Sequence, residues 1–241
     1  LQIRQKYGDL FSYTGKRGQV SKIYISHYTK LTARKGVMSL QAQTLKDWPV
    51  QWIDFFDREV ITQEMVDKAY VYDRGLQVRV CTLAEIANAL AHQYCIDEIA
   101  NDPLIESGMI IEDDIMFKEN FVTNLKNSLN SIPEDWDILA VGGCYRGGPD
   151  DCEKTEFEPA KDFILYIPTR PCLPTGNYIV TKKAAKKIVK HKLYRPFSMP
   201  IDANLCAIAT ALNLRVYWCK PWLSFEGSKN GTYESVAGRG F

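Results

Sequence analysis

The sequence predicts an α/β fold, a single domain in which a mainly parallel central sheet carries helices on both faces. Short apolar runs of strand character alternate along the chain with stretches of helical periodicity. Two of these runs, 109–111 and 138–141, are apolar at every position, which is typical of strands buried on both faces. The length also agrees, because 241 residues with 46% hydrophobic side chains can bury a core of this kind.

The predicted elements begin at residue 22, after an irregular lead-in over 1–21, so that the folded domain spans 22–241. A longer helix starts after Thr82, which forms a capping box with Glu85 and precedes apolar residues at i, i+3 and i+4 spacing. The other predicted elements are strand 23–25, helix 31–46, strand 52–56, strand 109–111, helix 117–129, strand 138–141, strands 163–167 and 178–180, a Lys-rich helix from 181, helix 203–212 and strand 216–218.

Two segments lack periodicity. The stretch 142–161 is rich in glycine and acids, which is typical of a long loop that carries function. The stretch from 224 onward is polar and glycine-rich, and we expect an irregular tail there.

Composition and charge exclude several classes of protein. Thirty Lys and Arg balance 29 Asp and Glu, so no overall field draws the chain to nucleic acid or to an anionic membrane. No apolar run approaches the roughly 20 residues that span a bilayer, and we expect no membrane segment in this chain. Seven cysteines without a C-x-x-C pair favour the cytoplasm. A secretory lumen is the alternative if a targeting segment was removed, with Cys144 and Cys152 then able to pair.

The most informative motif is Glu112-Asp113-Asp114, directly after the apolar run 109–111. Ligands of open α/β sheets bind beyond the carboxyl ends of strands, where clustered oxygen donors suit Mg²⁺ or Mn²⁺ holding a phosphate. The alternative is a solvated acidic turn that caps the next helix. The chain has neither a P-loop nor a G-x-G-x-x-G motif after a predicted strand, which disfavours kinase-like use of ATP and Rossmann-type binding of NAD.

Seven segments occur in the order found in glycosyltransferase family 25, the group of lipooligosaccharide and procollagen galactosyltransferases, and the chain resembles that family. The segments are 23–26 with Arg34 downstream, 55–57, 83–92, 110–114, 135–139, 176–180 and 200–202. One departure is that the family's first strand runs into Asn-Leu-Asp-Arg, whereas residues 26–30 here read Ser-His-Tyr-Thr-Lys.

The resemblance implies a GT-A fold, a nucleotide-sugar donor that we expect to be a UDP-sugar, and a glycan or glycoprotein acceptor. It also implies that Glu112, Asp113 and Asp114 bind Mn²⁺ or Mg²⁺. With the resemblance we further expect a set of donor-binding residues, which are Ser26, His27, Arg34, Asp57, Glu85 and His92. For the two histidines, a buried structural role is the alternative.

Two further assignments concern the mechanism. In a reaction that inverts the anomeric carbon, a carboxylate removes the proton of the acceptor hydroxyl, and Asp202 is the candidate. The alternative for Asp202 is a helix N-cap. Ser228 and Lys229, on the glycine-rich tail, are expected to close over the diphosphate, and a disordered terminus is the alternative. Two other functions stay open at this point: a nucleotidyltransferase, and a carbohydrate-binding domain without catalysis.

Overall fold

The structure is a computed structural model that describes residues 18–75, 79–143, 163–165 and 173–234. The strands are β1 Lys22–Ser26, β2 Val50–Ile53, β3 Ser107–Glu112, β4 Ile115–Phe117, β5 Ile138–Ala140, β6 Gly142–Gly143, β7 Phe163–Leu165, β8 Asn177–Thr181, β9 Val216–Cys219 and β10 Ser224–Glu226. The helices are α1 Thr32–Ala42, α2 Gln63–Ala69, α3 Leu83–Asn101, α4 Phe121–Ser131, α5 Lys182–Ile188, α6 Ile201–Ala211 and α7 Gly227–Asn230. Most of the predicted lead-in and the predicted loop beyond residue 143 lie outside the described residues.

Seven strands form the central sheet in the order β2-β1-β3-β8-β5-β9-β7. Strand β1 is parallel to β2 and β3, and β5 is parallel to β9. Strand β8 lies antiparallel between β3 and β5, and β7 is antiparallel to β9. Five of the seven strands therefore run in one direction, which confirms the mainly parallel sheet. The sequence did not predict the antiparallel direction of β8, because an apolar run indicates a buried strand but not its direction in the sheet.

The alternation of side chains along β3 divides the core into two layers. Ile110 packs on the face covered by α3, α5 and α6. Met109 and Ile111 pack on the opposite face with side chains from α1 and α4. All three residues are fully buried. The prediction of a central strand buried on both faces, with helices on both sides of the sheet, is confirmed.

A second sheet of three strands, in the order β4-β10-β6, lies next to the acidic motif. It changes two predicted boundaries. The helix predicted over 117–129 begins at Phe121, since 115–117 pairs with β10. The segment predicted as an irregular tail from 224 begins with β10 and α7. Both differences arise because the pairing partner lies more than a hundred residues away, where local patterns carry no information.

Other local predictions agree with the structure. The unit β1-α1-β2 has its two strands parallel, and the capping box at the start of α3 is formed. Val20, two residues before β1, already lies in the core beside α4. None of the helices in the described part of the chain combines the length and the hydropathy that crossing a bilayer requires.

Gly142 is a position where the neighbouring strand β10 of the three-stranded sheet leaves no room for a side chain on β6. A Cβ atom there would lie 3.0 Å from the Ser224 carbonyl oxygen and would also collide with the hydroxyl of Ser224. We expect Gly142→Ala to lower the free energy of unfolding by about 1–3 kcal/mol, the usual cost of overpacking. Urea titration measures this change.

Gly36→Ala is the matched control, because a Cβ atom at this exposed position of α1 meets nothing within 4 Å. Alanine is the better helix former, so this variant should gain about 0.5–1 kcal/mol. Equal stability of the two variants would contradict the close contact between β6 and β10.

Candidate functional site

A cavity of about 730 Å³ opens where β1, β2 and β3 end. Ser26, Ile53 and Glu112, the last residues of these strands, contribute to its wall. The first turns of α3 and α6 form a second wall. All predicted site residues except His92 line this cavity, namely Ser26, His27, Arg34, Asp57, Glu85, Glu112, Asp113, Asp114, Asp202, Ser228 and Lys229.

Asp113 is engaged through both carboxylate oxygens. His27 Nδ1 lies 2.8 Å from Oδ2, and the backbone N–H of Tyr28 donates to the same oxygen over 3.2 Å. Arg34 Nη1 donates to Oδ1 over 3.0 Å. The side chains of His27, Arg34 and Asp113 are all buried. Asp113 therefore joins β1 and α1 to the acidic motif.

Glu112 receives two hydrogen bonds on one oxygen. Asn88 Nδ2 donates to Oε1 over 2.9 Å, and His92 Nε2 lies 3.2 Å from the same atom. Burial acts to raise the pKa of Glu112, but the hydrogen bonds from His92 and Asn88 outweigh it, so the pKa lies below its ordinary value. His92 is fully buried behind Glu112 and does not reach the cavity.

Asn88 and Tyr178 were not predicted as site residues. The i, i+4 spacing of Asn88 and His92 on α3 places both on one helix face, a signal that the sequence contains. No comparable local signal exists for Tyr178, which reaches His92 from β8.

Of the three acids, Asp114 has the weakest set of hydrogen-bond and ion-pair partners. Its Oδ1 is buried and has no hydrogen-bond partner among the described residues, and Arg34 Nη1 is 4.0 Å from Oδ2. Burial and the neighbouring charge of Glu112 raise the pKa of Asp114 to about 6, although a hydrogen bond from Ser228 acts in the opposite direction. Of the three carboxylates, this is the one whose charge the folded protein compensates least.

The predicted metal ligands do not converge. Within residues 18–75, 79–143, 163–165 and 173–234, no three His, Cys, Asp or Glu side chains are placed to hold one metal ion. Asp113 is held by His27 and Arg34, whereas Asp114 keeps a buried oxygen available. Such an oxygen fits a hard cation that takes its remaining ligands from substrate phosphates and water.

Two predicted donor-binding carboxylates already have partners. The backbone N–H of Thr29 donates to Asp57 Oδ1 over 3.1 Å, and the Thr29 hydroxyl donates to Oδ2. Glu85 binds both guanidinium nitrogens of Arg79 at 2.8 and 2.6 Å and accepts the N–H of Thr82. Both side chains shape the cavity wall, and donor binding through them stays a prediction.

Asp202 is the second residue of α6 and does not cap it. The N-cap is Pro200, so the alternative role as helix N-cap is wrong. One carboxylate oxygen of Asp202 accepts the N–H of Ala203 over 2.8 Å. Burial raises the pKa of Asp202, and the nearby charges of Glu112 and Glu85 raise it further.

The segment 224–234 is folded onto the acidic motif, so the alternative of a disordered terminus is wrong for these residues. The backbone N–H of Gly227 donates to the Asp114 carbonyl over 2.8 Å. Arg34 donates to the Glu234 carbonyl, and its guanidinium lies 5.2 Å from the centre of the Tyr233 ring. These contacts hold α7 at the cavity, where Ser228 and Lys229 belong to the wall.

A mainly parallel sheet with a cavity at the carboxyl ends of its strands is typical of α/β proteins that bind a ligand beyond those ends. The chain belongs to glycosyltransferase family 25, since the model of that family, described as an LPS biosynthesis protein, matches residues 20–205. The protein is therefore a glycosyltransferase, which moves a sugar from a donor to an acceptor. This membership confirms the resemblance and sets aside the nucleotidyltransferase and the non-catalytic carbohydrate-binding domain.

Several solved structures are similar to the chain at low identity. A197 from STIV has a TM-score of 0.42 and 13% identity, with 83% of this chain and 81% of that chain covered. Mouse xyloside xylosyltransferase 1 in its apo form has a TM-score of 0.39 and 10% identity, covering 82% and 73%. The inositol-1-phosphate CTP transferase from T. maritima has a TM-score of 0.39 and 11% identity, covering 91% and 94%. No curated protein sequence matches this chain.

The weakly compensated charge of Asp114 has a measurable cost in the ligand-free protein. Because its pKa is about 6 in the folded state against 3.8 ordinarily, ionisation is harder in the folded than in the unfolded chain. The free energy of unfolding therefore falls as the pH rises from 3.8 to about 6. At pH 7, with chelator present, we expect Asp114→Asn to raise the free energy of unfolding by about 1–3 kcal/mol and to flatten this pH dependence.

Asp113→Asn is the matched control, because the same substitution one residue earlier weakens the contacts to His27 and Arg34. It should lower stability. Denaturant titrations of both variants across this pH range measure the effect, and a destabilised Asp114→Asn with an unchanged pH slope would contradict the assignment.

Proposed function

We propose that this glycosyltransferase uses a nucleotide-sugar donor, specifically a UDP-sugar, together with Mn²⁺ or Mg²⁺. The acceptor is a hydroxyl group of a glycan or glycoprotein, and the reaction inverts the anomeric carbon. The observation that carries the proposal is the buried, unpartnered oxygen of Asp114 in the cavity wall, beside Ser228 and Lys229. We also propose a cytoplasmic location, on the cysteine pattern alone.

The charges around the cavity support binding of a diphosphate. Lys229 lies near enough to Glu112 to lower the pKa of that carboxyl group, so its ammonium group is available on the same side of the cavity. Asp114 would hold the divalent cation, and phosphate oxygens would complete the coordination. When bound, the cation offsets the negative charge that develops on the leaving diphosphate.

Apolar side chains support a place for the nucleoside. Leu31, Ile53 and Phe56 line the cavity next to the ends of β1 and β2. Flat and aliphatic surfaces of this kind suit the faces of a nucleobase. With the base at this end and the diphosphate beside Asp114, the reacting sugar would point towards the first turn of α6.

Asp202 has the properties of a general base at this position. It lines the cavity from the first turn of α6, and burial together with Glu112 and Glu85 raises its pKa. A carboxylate with a raised pKa is a stronger proton acceptor than an ordinary one. We propose that it takes the proton of the acceptor hydroxyl as that oxygen attacks the anomeric carbon, on the face opposite the leaving diphosphate.

A panel of nucleotide sugars with Mn²⁺ tests the proposed donor class. We expect slow hydrolysis of one UDP-sugar to UDP in the absence of acceptor, and no pyrophosphate release from a nucleoside triphosphate with a sugar phosphate. Asp114→Ala should abolish the hydrolysis without loss of stability, since it removes an unfavourable charge. Asp47→Ala, which breaks an exposed ion pair with Lys126 outside the cavity, should retain it. Full activity of Asp114→Ala with added metal would refute the assignment of Asp114.

The second experiment concerns Asp202→Asn. The variant keeps an oxygen for the N–H of Ala203 but loses the base, so transfer should fall by about 10²–10⁴-fold with near-normal affinity for the nucleotide sugar. Calorimetry measures the affinity, and product formation with a working acceptor measures the rate. Full turnover would end the assignment as base, and loss of donor binding would instead place Asp202 at the donor.

A further inference from the structure

His92 occupies a position that donor binding does not explain. It is fully buried on α3, between Tyr178 of β8 and Glu112 of β3. Its Nδ1 lies 2.9 Å from the Tyr178 hydroxyl oxygen, and its Nε2 lies 3.2 Å from Glu112 Oε1. The imidazole therefore connects a core tyrosine to a carboxylate in the cavity wall.

The chemistry of the two partners determines where the protons lie. An ionised carboxylate only accepts hydrogen bonds, so the proton of His92 must be on Nε2. In the neutral form of the ring, Nδ1 then accepts the proton of the Tyr178 hydroxyl. Burial raises the pKa of Tyr178, so this hydroxyl keeps its proton. The chain of donors runs in one direction, from Tyr178 through His92 to Glu112.

Both donors to Glu112 converge on one oxygen. Asn88 and His92 each bond to Oε1, and none of the described residues donates to Oε2. Glu112 lines the cavity, and its side chain is 26% exposed. One oxygen of the carboxylate is therefore held by two donors, while the other has no donor among the described residues.

We infer that Tyr178 and His92 are positioning residues that aim the second oxygen of Glu112 at a hydroxyl group of the donor. The inference rests on the proposed function for the identity of the ligand. The hydroxyl belongs either to the ribose of the nucleotide or to the transferred sugar, and both offer the same hydrogen-bond donor. In this arrangement Glu112 binds substrate, and Asp114 alone of the acidic motif holds the cation.

Two substitutions of His92 separate positioning from packing. In His92→Gln the side-chain amide nitrogen takes the place of Nε2 and still donates to Glu112. In His92→Asn the shorter side chain faces Tyr178 and leaves Glu112 without this donor. Tyr178→Phe removes the hydroxyl that bonds to Nδ1 and holds the ring from behind. Tyr217→Phe is the control, because this buried tyrosine of β9 bonds to Asp135, away from the cavity.

The steady-state constants for the donor discriminate between the two roles. Loss of a contact made equally in the ground and transition states raises KM and leaves kcat unchanged. We expect His92→Asn to raise the donor KM about 10-fold or more, the size typical of partners that orient a ligand-binding group. His92→Gln should recover most of this loss, Tyr178→Phe should be intermediate, and Tyr217→Phe should resemble the unaltered protein. A merely structural role would lower kcat at constant KM in the three variants of His92 and Tyr178, which would overturn the inference.

Binding measurements distinguish the possible ligands of Glu112. If the ribose supplies the hydroxyl, His92→Asn weakens the binding of UDP and of the UDP-sugar equally; if the sugar supplies it, only the UDP-sugar binds more weakly. The Mn²⁺ concentration for half-maximal activity should not change. A raised Mn²⁺ requirement would make Glu112 a metal ligand and overturn this assignment.

Nitrogen NMR tests the hydrogen-bonded chain from Tyr178 through His92 to Glu112 in the absence of any nucleotide sugar. The chain has only three histidines, so the resonances missing from His92→Asn identify those of His92. We expect a protonated Nε2 and an unprotonated Nδ1, and a displaced Nδ1 resonance in Tyr178→Phe, where the hydrogen bond to Nδ1 is lost. A proton on Nδ1 in the unaltered protein would overturn the inference. Failure of every nucleotide sugar to bind, with the expected spectrum, would instead count against the proposed donor class.

Discussion

Three consecutive carboxylates at the end of a buried strand impose the constraint on which the site depends. Charges so close together repel strongly where water is scarce, so each needs its own compensation. Glu112 obtains it from α3, through Asn88 and His92, and Asp113 from His27 and Arg34. The donors come from separate parts of the chain, so compensating the acids also brings those parts to one edge of the sheet.

The compensation is uneven, and this unevenness separates the roles of the acids. Asp113 is surrounded by donors, which makes it a structural anchor between β1 and α1. Asp114 keeps a buried oxygen without a partner and a raised pKa. Because ionised Asp114 lowers the stability of the ligand-free protein, a cation bound there would stabilise the protein more than one bound at either of the other two acids. Adjacent residues of similar chemistry thus differ because of what surrounds them.

The sequence predicted those features that depend on local patterns. The capping box of Thr82, the apolar run of β3 and the position of the acids at its end are all readable from neighbouring residues. The antiparallel direction of β8 and the pairing of β4 with β10 depend on distant contacts, and no local pattern reports them. The partners of the three acids were unpredictable for the same reason, since His27 and Asp113 are 86 residues apart.

The acidic motif also connects the two sheets. Strand β3 ends at Glu112 and β4 begins at Ile115, so at this point of the chain only Asp113 and Asp114 separate the seven-stranded sheet from the three-stranded one, just as Val141 alone separates β5 from β6. Because both links are so short, Asp114 lies where the two sheets meet, with α7 held against it through the N–H of Gly227. A ligand bound by Asp114 would therefore contact the protein at the boundary between its two sheets.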